Sequence, residues 1–173
     1  MKKFLLCVML FGLIGSATFA QENSKWYLGI GTGFDYGGFG GKIEYLPIKN
    51  VGVFAGMGYN LLSLGWNVGG TFKILPDKKV SPNVMLMYGY NAVFVGADWY
   101  ADRYEMTSYG VTAGMNLDIK VGRKDNKISV GLFVPFRSSE FKDNYQEAKD
   151  DSNLSITGSL FPIGFGVGFN FGL

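Results

Sequence analysis

Residues 164–173 read GFGVGFNFGL, with a bulky apolar side chain at every second position and glycine or asparagine between them. Side chains of an extended strand alternate between its two faces, so Phe165, Val167, Phe169, Phe171 and Leu173 share one face. Gly164, Gly166, Gly168, Asn170 and Gly172 share the other. Such a strand presents hydrocarbon on one side and almost nothing on the other.

The alternation recurs upstream, bounded each time by Gly, Pro, Asn, Asp or Lys clusters. It predicts strands over Lys25–Asp35, Phe39–Leu46, Val51–Leu61, Leu64–Leu75, Val84–Gly96, Ser108–Val121, Ile128–Phe136 and Pro162–Leu173. Lengths near ten residues suit tilted strands that cross a bilayer. An even number of strands returns both ends of the folded chain to one side.

The bulky face collects Trp26, Leu28, Ile30 and Phe34 from the first strand and continues through Ile43, Met57, Trp66, Leu86, Tyr90, Val111, Met115 and Val130. The opposite face carries Gly29, Gly31, Gly33, Gly56, Gly58, Asn67, Thr71, Asn91, Thr112, Asn116 and Asn170, with the charges Lys42, Glu44, Lys73, Asp118 and Lys120. The interior of an eight-stranded barrel holds only on the order of a dozen or two large side chains, too few for the bulky set. That set must point outward. A water-facing exterior would be rich in charge, and this one is not, so hydrocarbon is the medium it fits. Closure leaves no unpaired backbone in that medium. The expected fold is all-β, an eight-stranded antiparallel up-and-down transmembrane β-barrel.

With that pattern the chain resembles the small eight-stranded outer-membrane β-barrels of Gram-negative bacteria, the OmpA/OmpX-type architecture. The C-terminal row Phe165, Val167, Phe169, Phe171, Leu173 is similar to the terminal signal read by the barrel-assembly machinery, although that family usually ends on Phe rather than on Leu173. The resemblance implies residence in the cell outer membrane, a lipid bilayer and lipopolysaccharide as surroundings, the barrel-assembly machinery as a partner, and a monomer.

The first twenty residues read as a cleaved secretory signal peptide: Lys2 and Lys3, an apolar run Phe4–Ile14 too short to span comfortably, and Thr18-Phe19-Ala20 before a cut at Gln21. Residues 21–173 are then the barrel domain. Cys7, the one cysteine, lies inside the signal, which removes disulfides and thiol chemistry from the mature chain. Without Lys2 and Lys3, the 16 basic residues fall to 14 against 14 acidic ones, and nothing favours nucleic acid as a partner. After the signal, no apolar stretch reaches the length of a membrane helix.

Two connections are expected to be long and external, Asp98–Thr107 and Arg137–Phe161, while Tyr36–Gly38 and Leu62–Ser63 are short. The opposite end has the turns Pro47–Asn50, Pro76–Asn83 and Gly122–Lys127. Counting Asp35, the outer loops sum to −5; counting Lys127, the turns sum to +4. Short turns belong in the periplasm and longer loops outside.

Histidine is absent, which argues against the acyltransferases, phospholipases and proteases built on such barrels, because imidazole is the base that works near neutrality. Ser138, Ser139 and Glu140 adjoin without a base and read as a solvated loop. The inner charges invite a channel, but a packed ion-pair network is the plainer reading. Whether Phe54, Met85, Met87 and Phe133 fill the interior is left open. Gly29-Ile-Gly31-Thr-Gly33 lacks the lysine and helix of a phosphate loop and reads as strand. Asp98, Asp102 and Glu105, and separately Asp150, Asp151 and Asn153, have no calcium-loop spacing and read as acidic loop tips. Trp26, Tyr27, Tyr45, Tyr59, Trp66, Tyr88 and Tyr109 are expected in interfacial girdles. No catalytic, cofactor or metal residue is assigned. The expected role is non-enzymatic, structural or surface-interacting (adhesion or binding of an extracellular ligand the sequence does not name), with a small porin-like pore or a lipid-modifying enzyme as alternatives.

Overall fold

The computed structural model describes residues 25–60, 63–98, 103–122, 124–150, 154–156 and 162–173. Residues 1–20, read above as a signal peptide, lie outside the described residues, as do Asp102, Asp151 and Asn153; the side chains of Asp98, Glu105 and Asp150 are likewise not described. The described strands are β1 (Trp26–Gly33), β2 (Gly38–Ile48), β3 (Val51–Tyr59), β4 (Leu64–Lys73), β5 (Val80–Asp98), β6 (Arg103–Val121), β7 (Asn126–Pro135), β8 (Leu154–Ile156) and β9 (Gly164–Gly172). Each of β1 to β6 pairs antiparallel with the next, and β9 pairs with β7 on one side and β1 on the other. The result is a closed eight-stranded up-and-down barrel with the short β8 outside the ring.

The C-terminal row of alternating apolar residues closes that ring. Thr32 pairs with Val167 at one end of the β1–β9 ladder and Tyr27 with Gly172 at the other. Beyond it, the Leu173 amide donates to the Trp26 carbonyl at 2.9 Å, so the two ends of the barrel chain meet on one side as strand parity requires. The apolar face points outward: Phe165 is 75 % exposed and Phe39 68 %, whereas the inward Phe133 is 1 % exposed. Trp26 lies against Tyr45 near the end bearing the short turns, with ring centroids 4.4 Å apart. Near the other end Trp66 lies 6.3 Å from Tyr88 and 5.8 Å from Tyr109.

Three expectations are corrected: Phe34 and Tyr90, assigned to the outer face, and Tyr27, expected in an interfacial girdle, lie elsewhere. Tyr27 is buried inside, because β1 alternates from Trp26 outward and Tyr27 has the opposite parity. Tyr90 is half-buried at a register shift between Tyr90 and Ala92, where a bulge breaks the alternation. Phe34 leaves the strand in a 3-10 turn, Phe34–Tyr36, and packs on the inner cluster Phe54, Met85, Met87 and Phe133.

The long connection after β7 is not a bare loop. It contains α1 (Ser139–Asp150), started by Ser138, whose hydroxyl accepts the Phe141 amide at 3.2 Å. Phe141, Tyr145 and Ala148, at helical spacing, form its buried stripe. β8 then pairs with the upper part of β5, Ile156 opposite Gly96. Ser138 and the first-turn Glu140 therefore serve helix initiation.

Candidate functional site

The barrel interior is the built polar site of this protein, and a hairpin tip fills it. After β1 the chain turns into the lumen rather than away from it, through Phe34, Asp35 and Tyr36, and Gly37 reverses it at φ +69°. Tyr36 is 1 % exposed. The inner glycines make this possible: a Cβ on Gly31 or Gly168 would strike the Tyr36 ring, and one on Gly56 would strike the Asp35 carbonyl. The bare inner face is thus a cradle for an aromatic side chain and its backbone.

Asp35, counted above as an outer-loop charge, lies inside the barrel and pairs with Lys42 at 2.5 Å. An ionised carboxylate cannot stay unpaired among buried groups, and the adjacent β2 strand supplies its cation. The Lys42 ammonium also stands 4.4 Å over the Tyr36 ring. The Tyr36 hydroxyl donates to Asn170 Oδ1 at 3.2 Å, Asn170 Nδ2 donates to Ser129 Oγ at 2.8 Å, and Ser129 donates to Asp118 Oδ1 at 2.5 Å. A continuous hydrogen-bond chain therefore links the hairpin tip to a second charge cluster.

In that cluster Lys127 bonds Glu44 at 2.5 Å and Asp118 at 2.7 Å, while Lys73 stands at 3.4 and 3.5 Å from the same two carboxylates. Tyr27 covers both ammonium groups, its ring centroid 4.3 Å from Lys127 and 5.1 Å from Lys73. Lys42, Glu44, Lys73 and Asp118 come together as inner charges, in the network expected from sequence. Lys120 does not join them: it is half-buried and lines the cavity at the turn end. Lys127, placed above in a turn, belongs to β7 and is fully inside. The parity of Ser129, Gly131 and Phe133 carries that signal, which the proximity of Lys124 and Asp125 concealed. Among the described residues, three buried cations face three buried carboxylates. Moving Asp35 and Lys127 inward leaves the loop and turn charges with their signs unchanged.

Phe54, Met85, Met87 and Phe133 do fill the interior toward the other end, with Phe34 and Tyr90 edging over them. A depression of about 300 Å³ remains above, and a deeper cavity of about 380 Å³ opens at the turn end below Lys73 and Lys127. Among the described residues, no three His, Cys, Asp or Glu side chains converge in a metal-binding cluster.

The fold is similar to the crystal structure of the N-terminal β-barrel domain of Pseudomonas aeruginosa OprF, with a TM-score of 0.48 at 15 % identity over 87 % of this chain and 98 % of that one. No protein-family model matches the chain. No curated protein matches it either.

Proposed function

We propose that this protein is a non-enzymatic barrel of the bacterial outer membrane, sealed to solutes, that presents a surface-interaction module outside the cell. The observation that carries this reading is the closed barrel whose outward side chains are apolar along its whole circumference, from Trp26 and Ile30 through Met57, Leu86 and Met115 to Val130 and Phe165. No water-soluble surface tolerates such a belt, and a closed ladder is one of the two ways a chain can satisfy its backbone in hydrocarbon. The aromatic pairs near its two ends fit the two interfaces.

The exposed module is the hairpin of β5 and β6. Gly89 pairs with Asn67, and the β3–β4 hairpin ends at the Tyr59–Leu64 pair, so β5 continues about six residues beyond it to Asp98. At roughly 3.3 Å per residue this is about 20 Å of projection. Among the described residues, β6 pairs only with β5 from Arg103 to Gly110, since the Val111 carbonyl accepts the Phe136 amide and the ladder with β7 begins at Thr112. That edge and the polar face of α1 are surfaces an extracellular protein segment would meet.

The test is fractionation with whole-cell proteolysis. The mature chain should sediment with the outer membrane, migrate differently before and after boiling, and lose only its hairpin and α1 to protease added outside. Recovery as a soluble periplasmic species would overturn the reading.

A further inference from the structure

We propose that the cavity at the turn end is a binding site for a small organic anion, a carboxylate or phosphate head on a compact apolar body. The cavity, about 380 Å³, is bounded by the β2–β3, β4–β5 and β6–β7 turns and floored by Lys73, Lys127 and Asp118. That volume is of small-ligand size. Its lining holds five lysines against three aspartates.

The acidic groups are engaged. Asp118 takes Lys127, Ser129 and the Asn116 amide, the last at 3.1 Å, and Asp77 takes Lys49 at 3.2 Å. The cations are not matched in the same way. Lys73 is buried yet stands 3.4 and 3.5 Å from its carboxylates, beyond the roughly 2.7–2.9 Å of a charge-assisted hydrogen bond. Lys25 and Lys120 line the same space with no ion pair among the described residues. A desolvated ammonium at the floor and two more cations on the walls select an anionic head. Leu46, Pro47 and Pro76, on the remaining wall, offer an apolar surface to the rest of the molecule. The site does not depend on the surface-interaction reading, since it lies at the opposite end of the barrel.

The experiment is an amide-resolved NMR titration of the refolded, isotope-labelled barrel in a zwitterionic detergent, with benzoate, phenyl phosphate and the neutral benzamide as probes. Benzoate or phenyl phosphate should shift resonances around Tyr27, Lys73, Ser81 and Lys127 saturably. Benzamide should bind roughly tenfold more weakly, as the loss of one hydrogen bond to a charged group implies. The rim variants Lys25→Gln and Lys120→Gln, which leave the buried network intact, should weaken the anions and leave benzamide unchanged. The two anion arms distinguish a carboxylate from a phosphate ligand. Equal responses to all three probes, anion affinity indifferent to both rim variants, or no saturable shift in the cavity would overturn the proposal.

Discussion

Tyr36 decides what the lumen is. Its ring occupies space that Gly31 and Gly168 leave vacant, and its hydroxyl starts the hydrogen-bond chain through Asn170 to Asp118. Tyr36→Phe keeps the ring and deletes one donor, so a urea refolding titration should show a loss of about 1 kcal/mol. Tyr36→Ala empties the cradle and should cost about 3–5 kcal/mol. Similar losses for the two variants would mean that packing in the cradle contributes little. The Asp35–Lys42 pair is a second residue-scale case, with both side chains 4 % exposed. Asp35→Asn strands a buried ammonium and Lys42→Met strands a buried carboxylate, each at about 3–5 kcal/mol. The double variant removes both charges and should lose much less than the sum of the singles. Additive losses in that cycle would mean the two groups do not interact.

At the scale of the element, strand parity is the organising rule. Val130 on β7 points outward, while its neighbour Ser129 donates to Asp118 inside. In a bilayer, Val130→Arg should cost about 2–4 kcal/mol, because a guanidinium would face the hydrocarbon midplane. Ser129→Thr keeps the hydroxyl and should cost distinctly less; equal tolerance in a vesicle refolding assay would reverse the assignment of faces. β9 is the element on which closure rests, since it ladders with β7 and β1 simultaneously. Deleting Phe169–Leu173 strips partners from Tyr27 to Ile30 on one side and from Lys127 and Ile128 on the other. Unpaired groups in hydrocarbon cost several kcal/mol each, so assembly should fail outright, read as loss of protease resistance in cells. A protease-resistant truncated barrel would place closure elsewhere.

For the whole molecule, the filled and charge-balanced lumen sets permeability. Among the described residues, three buried cations and three buried carboxylates, with Tyr36 between the charge clusters and Phe133, Met85 and Met87 beyond, occupy the lumen. The purified barrel should therefore show no steady conductance in planar bilayers, and Tyr36→Ala, where it folds, should show measurable current. Steady conductance by the unaltered protein would favour a small pore over a sealed barrel.

Strand number, the outward face and closure by the last strand were determined by the sequence itself, because a two-residue period over tens of residues records which side chains must avoid water. Lys42, Glu44, Lys73 and Asp118 were legible as inner charges for the same reason, and Lys127 would have been by strict parity. Three features were decided only by tertiary structure. Asp35 and Tyr36 occupy the lumen because a cradle of inner glycines, assembled from distant strands, accepts them. Phe34 follows them inward, since the turn that carries it is held there. β8 exists because β5 outruns β4 and leaves backbone groups at Gly96–Asp98 for a returning segment to pair. Period reports which medium each side chain faces; it does not report which distant segment fills a void, and that depends on contacts between residues such as Tyr36 and Gly168 that lie far apart in the chain.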